Sequence, residues 1–98
     1  MSPSYKRIAA VKTSMDILEY LSNQTRMVTG KEISEALNLP YGTVMSHVAT
    51  LADGGYVSAV GEGLRVGTRM SLFWLRLKAE AEGRRTTIEQ ALGLLGGM

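Results

Sequence analysis

The sequence of 98 residues predicts a mainly α domain of the α+β class: three helices, a β-hairpin, then one or two C-terminal helices. Three observations predict it. Apolar residues recur at intervals of three and four through most of the chain. A Thr-x-x-Glu step and a Leu-Asn-Leu-Pro step punctuate two short helical segments. A single β-rich stretch, 56–66, is interrupted by closely spaced glycines.

The first helix is expected over 8–23, with Val11, Met15, Leu18 and Leu21 on its inward face. A polar connector, 23–28, follows. Thr29-Gly30-Lys31-Glu32 has the form of a capping box, in which Thr29 and Glu32 satisfy each other's backbone donors. Ile33, Ala36 and Leu37 then give the second helix its inward side, and Asn38-Leu39-Pro40 ends it. The third helix, 41–52, turns Val44, Val48 and Leu51 inward and stops at Asp53-Gly54-Gly55. Residues 56–60 read as a strand, Gly61-Glu62-Gly63 as a turn and Leu64-Arg65-Val66 as the returning strand.

The helical period resumes near Thr68, with Met70, Phe73, Trp74, Leu77 and Ala81 on one stripe. Gly83 is expected to interrupt it, and Thr86-Thr87-Ile88-Glu89 offers a second capping box for a last helix bearing Ile88, Ala91, Leu92 and Leu95. The chain thus reads as one domain, 1–98, with 1–10 as an arm and 68–95 as a C-terminal helical extension.

Composition narrows the function. Cysteine is absent, so disulfide and thiolate-metal chemistry are excluded. A single histidine provides no His pair for a metal, and no nucleophile–base pair or phosphate loop is present, so neither an enzyme nor a cofactor is expected. Gly61-Glu62-Gly63-Leu64-Arg65-Val66-Gly67 echoes a dinucleotide fingerprint only faintly, and within a hairpin it lacks the strand-to-helix context. No apolar run reaches membrane-spanning length and no secretory signal is visible, so a cytoplasmic location, associated with the nucleoid, is expected. The formal net charge is only +2. Positive charge gathers at Lys6, Arg7 and Lys12 and again at Arg65, Arg69, Arg76 and Lys78, on either side of an acidic middle.

Helices two and three have the form of a helix-turn-helix, and the hairpin after them makes it a winged one. In such a unit the second helix of the pair enters the major groove of double-stranded DNA. Tyr41 and Gly42 stand at its N-terminus, and Thr43, Ser46, His47 and Thr50 share the face away from Val44 and Val48. Hydroxyls bond phosphates or base edges, and histidine can donate to a guanine acceptor. Any exposed helix face can look the same, and this one has no Arg, Lys, Asn or Gln. Arg65 beside the hairpin tip, Arg69 and Lys31 are the candidates for phosphate contact, with a solvent-facing edge residue the plain alternative for Arg65. The large residues Met70, Phe73, Trp74 and Leu77 suit a homodimer contact.

The segments Ile17-Leu18-Glu19-Tyr20-Leu21 and 28–40, then Thr43-Val44, Thr50-Leu51, Gly55-Tyr56-Val57 and the 64–67 strand, resemble the N-terminal domain of IclR-type transcriptional regulators over roughly 11 to 75. The resemblance implies a dimeric winged helix-turn-helix regulator whose third helix reads the operator. Regulators of that family carry a long effector-binding domain after this one. The 98 residues hold no such domain, so no small-molecule effector is expected from them. The competing expectation is a winged-helix module that binds protein instead of DNA, motivated by the weakly basic recognition face.

Overall fold

The computed structural model describes residues 4–96. The elements run α1 (Ala9–Ser22), α2 (Gly30–Leu37), α3 (Tyr41–Asp53), β1 (Val57–Val60), β2 (Gly63–Val66) and α4 (Thr68–Gly96). This is the mainly helical winged helix-turn-helix that the sequence predicts. Of the expected arm, residues 1–3 lie outside the described residues.

The core sits where α1, α2 and α3 meet one face of the hairpin. Ile17, Leu21, Val28, Ile33, Val44, Val48, Val57 and Leu64 are buried there. On α1 the buried pair is Ile17 and Leu21, whereas Val11 and Met15, expected inward, are 53% and 60% exposed. Two apolar stripes overlap on this helix, and the core takes the one that continues through Ser14 toward α3. Ala36, also expected inward, is exposed, because the short α2 needs only Ile33 and part of Leu37 to cover the core.

Thr29 caps α2 as expected: its hydroxyl oxygen accepts from the Glu32 backbone N–H at 3.1 Å. The reciprocal half of the box is the weaker one, because the Glu32 carboxylate is held first by Arg26 and only secondarily by Thr29. Arg26 takes the Glu32 carboxylate with a two-pronged contact of 2.7 and 3.3 Å, a charge-assisted bond that outcompetes a neutral N–H. Arg26 thereby holds the Glu32 carboxyl below the usual range, with Thr29 a lesser contributor, and Glu32 in turn raises the Arg26 guanidinium. A depressed carboxylate adds stability above its unfolded value and loses it as pH falls through the folded one. Arg26→Met should therefore move the Glu32 titration upward, toward the ordinary glutamate range, as read by NMR of the side-chain carboxyl carbon. An unmoved titration would show that Thr29 alone sets it.

Asn38 ends α2 in the left-handed region, φ 54°, and the Asn38 and Leu39 N–H groups both return to the Ser34 carbonyl. The Ser34 hydroxyl donates to the Leu39 carbonyl at 2.5 Å, and Pro40 opens α3. The turn between the two helices is thus fixed at both ends.

The strands pair antiparallel, Val57 with Val66 through Val60 with Gly63. Gly61 has φ 60° and Glu62 a negative φ, so the two-residue loop puts glycine where a type II′ hairpin turn requires it. On its other edge Leu64 exchanges both backbone hydrogen bonds with Val28, at 3.0 and 2.7 Å. The connector 23–28 therefore ends in a buried residue that bridges the free edge of β2, which its polar composition did not indicate.

The expected break at Gly83 does not occur; α4 is a single helix of 29 residues. Glycine in a helix interior costs only about 1 kcal/mol. Lys78–Glu82, Glu80–Arg84 and Arg85–Glu89 pairs bracket it, and the Thr87 hydroxyl donates to the Gly83 carbonyl inside the helix instead of capping a new one. Only the first turns of α4 touch the rest: Gly67 N–H bonds Tyr56 O, Arg69 N–H bonds Gly55 O, and Phe73 packs on Tyr56 with ring centroids 5.9 Å apart. Every residue from 71 to 93 is exposed. The radius of gyration is 19.4 Å, against about 13 Å for a compact chain of this length.

Candidate nucleic-acid interface

The outward face of α3 follows from what the helix buries. With Val44 and Val48 fully inward and Leu51 half-buried, the line that stands farthest out is Gly42, Ser46, Ala49 and Asp53. Tyr41, Thr43 and Thr50 are exposed on its shoulders. Ser46 and Thr43 have hydroxyls without a protein partner among the described residues. The Thr50 hydroxyl donates to the Ser46 carbonyl at 2.9 Å, which leaves its oxygen free to accept.

His47 is placed differently. It is half-buried on the side of α3 toward α1, where Nδ1 shares a 2.7 Å hydrogen bond with the Ser14 hydroxyl. The imidazole therefore ties α1 to α3, and Nε2 is its only ring nitrogen without a protein partner among the described residues. Ala49 and Asp53 were missed in the sequence. The position opposite the mean direction of Val44, Val48 and Leu51 on a helical wheel would have found them.

On the other side of α3 a groove of about 880 Å³ separates it from α2 and the wing. Met45, Ala49 and Ala52 line it from α3, Lys31 and Glu35 from α2, and Glu62 from the hairpin turn. Gly30 is buried where α2 approaches α3; a side chain there would meet Met45 and Tyr41. Lys31, in the first turn of α2, is consequently held in the lining of this groove.

Arg65 and Arg69 belong to another side of the wing. Side chains alternate along β2, so Leu64 is buried in the core, its cross-strand partner Ala59 lies exposed on the same face beside the groove, and Arg65 points the opposite way with Ser58. Ser58 shares a shallow hollow with Thr68, Arg69 and Leu72 at the start of α4. The nine sequence-predicted residues thus divide. Six lie along α3, Lys31 stands beside them across the groove, and Arg65 and Arg69 lie beyond the hairpin. Lys31, Arg65 and Arg69 are exposed and have no salt bridge among the described residues, whereas Arg26 is committed to Glu32.

Met70, Phe73, Trp74 and Leu77 lie in the first three turns of α4. Phe73 is partly covered by Tyr56, and Trp74 and Leu77 are 62% and 63% exposed. Among the described residues no group of three His, Asp or Glu side chains is placed to hold a metal ion, and no helix is long and apolar enough to cross a membrane.

The family model of the IclR helix-turn-helix domain matches residues 10–61, more than half of the chain. No curated protein sequence matches it. Among solved structures, an IclR transcriptional regulator from Alicyclobacillus acidocaldarius superposes with a TM-score of 0.69 at 23% identity, over 74% of this chain and 30% of that one. The repressor BlcR of Agobacterium tumefaciens gives 0.63 at 22% identity, over 74% and 29%. HmgR of Pseudomonas aeruginosa gives 0.64 at 17% identity, over 70% and 29%. The chain spans less than a third of the length of each of these structures, and at these identities the likeness is one of fold.

Proposed function

The chain belongs to the IclR helix-turn-helix domain family, and from that premise we propose that it binds double-stranded DNA as a sequence-specific transcriptional regulator inside the cell. The observation that carries this reading is the α3 surface: a line of small residues, Gly42, Ser46 and Ala49, stands out beyond a fixed turn from α2. Small side chains let the helix backbone descend into a major groove. Thr43, Ser46 and Thr50 then supply hydroxyls to base edges or phosphates, and His47 reaches with Nε2 while Ser14 fixes its ring. Tyr41 and Gly42 lie at the positive end of the helix dipole, where a phosphate is favoured.

Lys31, Arg65 and Arg69 provide the backbone contact. Being unpaired, they have no protein ion pair to break on meeting a phosphate. A homodimer, formed through Met70, Phe73, Trp74 and Leu77, would present two α3 helices to a two-fold site.

Binding to genomic DNA fragments across a salt series tests this. Three cations on each of two copies predict a log–log slope near ~−5, and so a loss of about a thousandfold between roughly 50 and 200 mM salt. Lys31→Ala should reduce that slope by about 2 in the dimer, for every sequence alike. Ser46→Ala should instead narrow the gap between selected and random sites. A flat slope, or no binding at low salt, would favour a protein-binding module, consistent with the absence of Arg and Lys on α3 and with Glu35 and Glu62 lining the groove.

A further inference from the structure

Because α4 is unbroken, two apolar stripes expected on separate helices fall on one face. Leu77 and Ile88 are eleven residues apart, close to three full turns. In heptad terms Trp74, Ala81 and Ile88 occupy one core position, and Met70, Leu77 and Ala91 the other, with Arg84 between them. This seam is about 32 Å long and exposed from Trp74 onward.

A helix that stands alone in water is marginal even with good formers. This one carries Gly83, Thr86, Thr87 and Gly93. Its stability calls for a partner along that seam.

The residues flanking the seam select the partner and its direction. Lys78 and Arg85 line one flank, and Glu80 lies on the other. Two parallel copies in register bring Glu80 opposite Arg85 of the partner subunit, five residues on, twice by symmetry. Antiparallel copies set flank against like flank, so Lys78 and Arg85 would meet the same pair of cations. The contacts seen in the single chain, Glu80 with Arg84 and Arg85 with Glu89, are exposed pairs of the i,i+4 kind. Such pairs contribute little and rearrange at low cost. Arg84 is the one charged residue in the seam and lies beside Arg84 of the partner subunit in the parallel register; its long stem carries the guanidinium out of the seam to Glu80 of its own helix, which then sits between it and the partner's Arg85.

We propose that α4 is the parallel, in-register coiled-coil stem of a homodimer, with both winged heads at the same end. This rests on the homodimer reading above and adds its geometry. Side-by-side heads are the arrangement that lets both α3 helices meet one face of a duplex.

The chain lacks cysteine, so single-cysteine variants of the full chain report the pairing directly. Ala81→Cys and Ala91→Cys replace small seam residues. In the proposed dimer each should become mostly disulfide-linked to its own kind on mild oxidation. A mixture of the two should yield few 81–91 links, since those positions lie about 15 Å apart along the axis, beyond the ~7 Å a disulfide can span. An antiparallel pair self-links at one position at most, and docking of α4 on the exposed α1 residues Val11 and Met15 of a second copy self-links at neither. Either result, with sedimentation still showing a dimer, overturns the parallel stem and leaves the homodimer standing. A monomer at tens of micromolar overturns both.

Discussion

Gly67→Ala should destabilise the protein by about 3 kcal/mol and lower its thermal midpoint by about 15 °C. Gly67 is buried at the junction of β2 and α4. A methyl group there would collide with the Gly55 carbonyl oxygen and lie 2.9 Å from the Tyr56 carbonyl carbon. These neighbours are backbone atoms, so no side-chain rotation relieves the contact. The same crossing is held by Gly67 N–H to Tyr56 O at 2.8 Å and by Arg69 N–H to Gly55 O at 3.1 Å. Gly55 has φ 81°, a conformation that allows little adjustment by other residues. Far-UV circular dichroism melts measure the effect. A midpoint within about 2 °C of the parent would mean that the start of α4 is not tied to the head. Gly83→Ala, in open space, should instead stabilise α4 slightly.

Ile33→Ala is the second large effect, about 3 kcal/mol. Ile33 is fully buried and is the main anchor of the short α2 on the core. Only eight hydrophobic residues are buried among those described, so the loss is a large share of a typical domain's 5–15 kcal/mol. Urea midpoints give the comparison, with Val11→Ala as the control. Val11 lies on the exposed α1 stripe, and its truncation should change stability by less than ~0.5 kcal/mol. Equal effects at the two positions would show that the α1 face bearing Val11 is covered after all. DNA binding should fall in step with the folded fraction of Ile33→Ala, and recover with temperature reduction, since no α3 surface residue is altered.

The architecture was legible because its punctuation is local. Thr29, Asn38, Pro40 and the glycines at 54, 55 and 61 act on the backbone beside them, and each boundary fell within a residue or two of its expected place. What was not legible depends on packing across the molecule. The choice between the Val11–Met15 and Ile17–Leu21 stripes is made by where α3 and the hairpin lie. Val28 joins the edge of β2 only once Leu64 arrives beside it. Spacing places His47 on a shared face of α3, but it does not show that Ser14 approaches from α1 and holds the ring. The separation of Arg65 from Lys31 is likewise a matter of strand alternation combined with the position of the groove. Gly83 misled for an energetic reason: a penalty near 1 kcal/mol is too small to end a helix supported by ion pairs on both sides.

The unbroken α4 also sets a rule for the spacing of the chain. Head and distal face share one continuous helix, so their relative orientation is a matter of residue count. Inserting or deleting one residue near Gly83 would swing Ile88 and Leu92 by about 100° around the axis while moving them only about 1.5 Å along it. Changes of exposed side chain off the apolar seam are cheap in that stretch, and changes of length are not. Losses or gains of seven or eleven residues, which restore the angle, are the ones the molecule can absorb.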